Sequence, residues 1–132
     1  MYTYRTTVKL HDTDAAGVMF FGSQFRLAHD CYEAMMARIG CSLASILHGS
    51  DYLVLIVRAE AEYKKPLTTE DPIEIQLRVE KIGNSSYTLF FEIRNAQSDL
   101  TGTVRTVHVA VDRATGQTRP LPDKLRDALA RV

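Results

Sequence analysis

The stretch HDTDAAGVMFFGSQF, His11 to Phe25, gathers two aspartates, a glycine and an apolar run into fifteen residues. Asp12 and Asp14 stand where an alternating, strand-like pattern gives way to helical spacing, a place where backbone N–H groups lack helical partners. Aspartates there commonly cap a helix or offset its dipole, and Asp14-Ala15-Ala16-Gly17 also reads as a turn without chemistry. Asp14 is nevertheless followed by small residues and then by Val18, Met19, Phe20 and Phe21, which stand the acid beside an apolar wall with free N–H donors close by. That combination suits acyl transfer. A carboxylate can attack a carbonyl or activate water, and donors at a helix start can hold the oxyanion that develops. One such donor is typically worth about 10²- to 10³-fold in rate, so this geometry outweighs any surface charge.

The elements that must position these groups follow from periodicity. Residues 2–10 alternate, with Tyr2, Tyr4, Thr6, Val8 and Leu10 on one side, which predicts a half-buried strand. From Phe21 onward, Phe25, Ala28, Tyr32, Met35, Met36 and Ile39 recur at three- and four-residue spacing and predict a long helix over about 22–39. Ser23 could cap this helix, or Phe20–Gly22 could already form its first turn, and Gly40 is its stop signal. A helical turn at Leu43–Leu47 precedes four strands near 53–63, 72–81, 86–96 and 101–112, the last three reading as an antiparallel meander. Turn signals separate them: Pro66 to Pro72, then Gly83-Asn84-Ser85, then Ser98, Asp99 and Gly102. Pro120 and Pro122 lead into DKLRDALARV, a short amphipathic helix expected on the surface. One strand, one striped helix and four strands make an α+β arrangement in which the helix buries its stripe against a single sheet. A sheet curled round one helix has a second apolar need, which a chain this short can meet by pairing with a copy of itself.

Composition narrows the partners. At 132 residues the chain fits one domain, 1–132, and its 45% apolar and 24% charged residues fit an ordinary folded protein. Sixteen basic and sixteen acidic residues cancel, so no long-range field gathers nucleic acid or an anionic membrane. The longest apolar runs, such as LVLIV at 53–57, fall far short of the roughly 20 residues of a membrane helix. MYTYRTTVKL lacks the continuous apolar core of a secretion signal, so a cytoplasmic address is expected, with Cys31 and Cys41 as free thiols.

At HDTDAAGVMFF the sequence resembles the D-x-D-x-x-G-V-x-[YF] signature of hot-dog-fold acyl-CoA thioesterases, the family of 4-hydroxybenzoyl-CoA thioesterase and of the bacterial Tol–Pal-associated thioesterases. LAHDCYEAMMARIG and LIVRAEAEYKKPLTTEDPIEI further resemble the branch acting on 1,4-dihydroxy-2-naphthoyl-CoA, which carries a His-x-x-x-Glu pair on its helix. The similarity covers about residues 3–112. It implies a hot-dog fold, in which a five-stranded antiparallel sheet wraps one long helix, with a short C-terminal helix added. It also implies hydrolysis of an aromatic acyl-CoA to the free acid and CoA, with no metal or other cofactor. Naphthoquinone biosynthesis and a homodimer assembling into a homotetramer are implied through the same resemblance.

Carried over residue by residue, the family pattern makes Asp14 the catalytic carboxylate, as nucleophile or general base, and Asp12 a supporting group. Gly17 lets the backbone pass close to the thioester, and the backbone N–H of Phe21 takes the oxyanion. The Phe21 side chain departs from the family, since the Tol–Pal-associated branch tends to histidine there and the hydroxybenzoyl branch to tyrosine. The main-chain donor survives this difference, whereas assignment to either branch is weakened. His29 and Glu33, one helical turn apart, read from spacing as a solvated pair and from the resemblance as groups that position water or a substrate hydroxyl. Tyr63, Lys64 and Lys65 are candidates for the CoA phosphates, with Arg58 and Arg94 behind them. Phe20, Phe25, Tyr32, Met35 and Met36 could form an acyl pocket, or simply core. A hot-dog hydratase would carry histidine five residues after Asp14, where Met19 stands. The same resemblance also admits a short-chain aliphatic thioesterase of the Tol–Pal-associated type, or a non-catalytic module that binds acyl-CoA.

Overall fold

A computed structural model describes residues 1–132. Its elements in chain order are β1 (Tyr2–Thr7), a 3-10 turn (Leu10–Asp12), α1 (Ser23–Arg38), α2 (Leu43–Gly49), β2 (Tyr52–Tyr63), β3 (Pro72–Ile82), β4 (Ser86–Arg94), β5 (Leu100–Asp112) and α3 (Asp123–Ala130). The strands form one antiparallel sheet in the order β1-β3-β4-β5-β2. The meander expected from the turn signals is its centre, and no helix is long and apolar enough to cross a membrane.

Period-two alternation decides which face of the sheet is inside. Tyr87, Leu89, Phe91 and Ile93 of β4 are buried, as are Ile73, Ile75 and Leu77 of β3, while their neighbours in sequence are more exposed. Against that face lies the inner side of α1, with Leu27, Ala28, Cys31, Tyr32, Met35 and Met36 buried in the same core. Met35 and Met36 are therefore core, Cys31 and Cys41 are free and buried, and Leu27 joins a stripe that the spacing had begun at Phe25 and Ala28. Gly40, at φ +80°, ends α1: the Cys41 N–H reaches back to the Met36 carbonyl at 2.9 Å, a closure that needs the left-handed residue between them. At the far end Leu125, Ala128 and Leu129 of α3 pack beside β3.

Two local expectations are corrected. The first strand stops at Thr7 instead of running to Leu10, because the Lys9 N–H bonds the Asp12 carboxylate and bends the chain into the 3-10 turn, leaving Leu10 75% exposed. Ser23 does not cap α1. It is the first helical residue, and the preceding position, Gly22, makes no side-chain capping bond. Gly102 lies within β5, inside the strand expected over 101–112, and a turn precedes that strand. That turn is built on Asn95, whose side-chain oxygen accepts the Gln97 and Asp99 N–H groups.

Candidate active site

The Asp14 loop is pinned at both ends. The Asp14 N–H bonds the Val18 carbonyl at 2.9 Å, the Gly17 N–H bonds the Asp14 carbonyl at 3.0 Å, and the Met19 N–H crosses to the Leu67 carbonyl at 2.7 Å. Gly17 has φ +80°, which the turn requires and other residues rarely adopt. Asp12 anchors the loop from behind. It is 1% exposed, its carboxylate accepts the Lys9 N–H and the Arg26 guanidinium of α1, and its carbonyl accepts the Phe20 N–H at 2.8 Å. Burial alone would raise the Asp12 pKa, but the Lys9 N–H and Arg26 outweigh it and hold the carboxyl below its ordinary value.

In front of this anchor is a cleft of about 410 Å³ lined by Asp14, Met19, Phe21, Gln24, Tyr63, Lys64, Lys65, Pro66 and Leu67. The fold thus brings Asp14, Phe21 and the Tyr63-Lys64-Lys65 segment, more than forty residues apart in sequence, to one opening. One Asp14 carboxylate oxygen accepts the Ala16 N–H at 2.8 Å, and the other makes no hydrogen bond within the chain. The Phe21 and Gly22 N–H groups, just ahead of α1, also have no partner within the chain. The Tyr63 hydroxyl, its pKa raised by burial, donates to the Phe21 carbonyl at 2.7 Å. A trans peptide places its N–H opposite its carbonyl, so this bond also fixes the direction of the Gly22 N–H. The Gly22 N–H therefore points away from Tyr63, and the open Asp14 oxygen and the open Phe21 N–H are the groups at the cleft that can activate water and stabilise an oxyanion. Lys64 and Lys65 form exposed ion pairs with Glu62 at 3.2 Å and Asp99 at 3.0 Å at the cleft rim.

The remaining expected residues lie elsewhere. His29 lines a second cavity, of about 310 Å³, between α1 and the sheet, together with Phe25, Tyr32, Ile56, Phe91, Thr106 and His108. Glu33 is exposed, with its carboxylate 3.5 Å from His29 Nδ1, and lines neither cavity. Phe20 packs against the Phe21 ring with centroids 4.5 Å apart. Arg58 and Arg94 pair with Glu60 and Glu92, outside the cleft.

Two residues that pattern reading passed over complete the picture. Gln24, on the first turn of α1, is buried, lines the cleft, and donates its amide to the Glu62 and Thr103 carbonyls at 3.0 Å each. It fits because Gly102 has no side chain: a Cβ there would lie 2.6 Å from the Gln24 amide. His108 is buried on β5, its pKa pushed down to about 3 by burial and by His29. A glutamine at a helix start and a histidine within a strand carry no sequence signal that separates them from surface polar residues.

Comparison with known proteins gives the family and the fold. Residues 8–129 match the Thioesterase-like superfamily. The chain is 31% identical over 129 residues to a 1,4-dihydroxy-2-naphthoyl-CoA hydrolase of Synechococcus elongatus, covering 97% of this chain and 94% of that protein. It is 34% identical over 127 residues to one of Rippkaea orientalis, covering 95% and 92%. The crystal structure of a 1,4-dihydroxy-2-naphthoyl-CoA thioesterase from Synechocystis superimposes with a TM-score of 0.94 at 26% identity, covering 99% of this chain and 96% of that one. The fold is the hot-dog fold, and the chain belongs to the thioesterase-like superfamily.

Proposed function

We propose that this thioester hydrolase cleaves an aromatic acyl-CoA, of the 1,4-dihydroxy-2-naphthoyl or 4-hydroxybenzoyl kind, to the free acid and CoA in the cytoplasm. The observation that carries the reading is the shared cleft of Asp14 and Phe21, where an unpaired carboxylate oxygen meets a helix start with unpaired N–H groups. The thioester carbonyl oxygen points at the Phe21 N–H. Either water adds to the carbonyl carbon while Asp14 takes its proton, or Asp14 adds first and water hydrolyses the resulting anhydride. The C–S bond breaks in both routes, and the CoA sulfur leaves and is protonated. Lys64 and Lys65 at the rim meet the CoA phosphates by exchanging their exposed carboxylate partners, which costs little because such surface pairs are weak. The activities of the relatives, all on 1,4-dihydroxy-2-naphthoyl-CoA, favour the aromatic acyl group.

Thiol release from a panel of naphthoyl, benzoyl, phenylacetyl and short-chain acyl-CoAs tests this. Fastest release from an aromatic thioester is expected. Faster release from short-chain thioesters would move the assignment to the aliphatic branch, and none from any thioester would leave an acyl-CoA-binding module. A single turnover in oxygen-18 water separates the two routes, because only nucleophilic attack puts the label into Asp14.

The same proposal includes a homodimer joined through β2. This strand is a sheet edge, and it exposes Leu55, Ile56 and Val57 in sequence, 49%, 44% and 61%. A long apolar edge is unstable in water unless another strand pairs with it, and a second copy supplies the matching edge about a two-fold axis. Phe21, also exposed, stands near the end of this edge through its bond to Tyr63, so a partner there also encloses the cleft.

A further inference from the structure

The His108 Nδ1 is the one buried side-chain polar atom with no hydrogen-bond partner, and the residue is 1% exposed. Its ring cannot easily turn to find one. It stacks on Tyr87 with centroids 4.8 Å apart and planes 5° from parallel, and the Tyr32 ring leans on it at 4.6 Å. The two tyrosine hydroxyls are bonded to each other at 2.6 Å, and neither makes a hydrogen bond to His108. His108 Nε2 meets the Thr106 hydroxyl at 2.8 Å, and that hydroxyl makes no other hydrogen bond. A neutral imidazole has one N–H and one bare nitrogen. If Thr106 donates to Nε2, both groups are satisfied and the proton sits on Nδ1. Burial, which pushes the pKa down to about 3, keeps the ring in this neutral state at working pH.

His108 lines the 310 Å³ cavity, whose walls include the apolar side chains of Phe25, Ile56 and Phe91. The charged groups at its rim are already engaged, Arg26 with Asp12 and Asp30. The cavity follows the Asp14 cleft along α1: Phe21 and Gln24 line the cleft, while Phe25 and His29 line the cavity. From Gln24 at the cleft to His29 at the cavity the helix rises about 7.5 Å, a span that an aroyl group plus one hydrogen bond can bridge.

We propose that His108 determines specificity for a hydroxylated aromatic acyl group, its Nδ1–H donating to a ring hydroxyl oxygen remote from the thioester. This rests on the thioesterase reading given above. A neutral donor in an apolar wall matches a neutral acceptor, because a charged one would lose its water without a counter-charge. An unsubstituted ring leaves the donor unpaired, and that is the source of the discrimination.

The test compares 4-hydroxy-2-naphthoyl-CoA with 2-naphthoyl-CoA as a ratio of kcat/KM. A ratio of about ten or more in favour of the hydroxylated substrate is expected, the worth of one hydrogen bond to a group otherwise unpaired. In His108→Phe the ratio falls to near one. In His108→Asn, whose amide can place a donor near the lost Nδ1–H, part of it returns. A ratio near one in the wild-type protein, or one that survives in His108→Phe, overturns the proposal, whatever happens to the absolute rates. Dissociation constants of the two free naphthoic acids give the same ratio without turnover, so absence of hydrolysis and absence of the His108 contact are separate results. Nitrogen-15 NMR of the unaltered protein gives a third readout: the proton is expected on Nδ1, and finding it on Nε2 overturns the assignment.

Discussion

In the proposed mechanism Asp14 combines two roles that a single substitution separates. One carboxylate oxygen closes the turn through the Ala16 N–H, and the other is open at the cleft. Asparagine keeps an acceptor for the turn and loses the base or nucleophile. Asp14→Asn is therefore expected to lower kcat by about 10³-fold, in the range of a lost general base, with Tm nearly unchanged. An unaltered rate in a thiol-release assay would remove Asp14 from the mechanism. Tyr63 acts one step back, since its hydroxyl orients the Phe21–Gly22 peptide without being needed as a donor to substrate. Tyr63→Phe is expected to lower kcat about fivefold, the size of one ordinary hydrogen bond, and circular-dichroism melting should show little loss of stability. A loss confined to KM would instead place the hydroxyl on the CoA.

The elements are keyed to one another by a few polar contacts, and the site inherits its geometry from them. Asp12 ties the loop before the cleft to α1 through Arg26 and to Phe20 through its carbonyl. Asp12→Ala leaves the Lys9 N–H and half-exposed Arg26 without their acceptor and is expected to destabilise by about 2 kcal/mol, several degrees in Tm. The pH dependence has a definite sign. Because the folded carboxyl sits below its ordinary 3.8, its stabilisation is complete above that value and is lost as pH falls through the lower folded value. Acid unfolding below about pH 4 should thus be shallower in Asp12→Asn than in wild type, as read from Tm against pH. On the other side of α1, Gly102 leaves the space that Gln24 fills. Gly102→Ala should displace that side chain, break its bonds to the Glu62 and Thr103 carbonyls, and cost about 2 kcal/mol. Chemical denaturation measures it, and an unchanged midpoint would show that Gln24 has another place to go.

At the scale of the whole molecule the β2 edge is the feature that one chain does not account for. Its exposed apolar run is the observation on which the proposed dimer rests, and the cleft residue Tyr63 ends the same strand. Sedimentation equilibrium should give twice the monomer mass, and Val57→Lys, outside the acyl cavity, should shift it toward the monomer and reduce turnover, as the proposed enclosure of the cleft by the partner requires. A wild-type protein that sediments as a monomer at micromolar concentration would contradict the dimer.

What the residues determined alone was whatever depends on local pattern. Alternation in β4, the three- and four-residue spacing of α1 and the glycine that ends it are properties of neighbouring residues, and they located the strands and helix. The Asp14 motif was legible for the same reason, since its turn is closed by bonds within five residues. Tertiary structure decided what depends on distant partners. It alone set Tyr63 against Phe21, split His29 and Asp14 between two cavities, and buried Gln24 and His108. The end of the first strand was misjudged because the Lys9–Asp12 bond overrides an alternation that continues to Leu10. The physical reason is that a polar side chain's place is fixed by whether the fold supplies it a partner, and that partner is usually on another element.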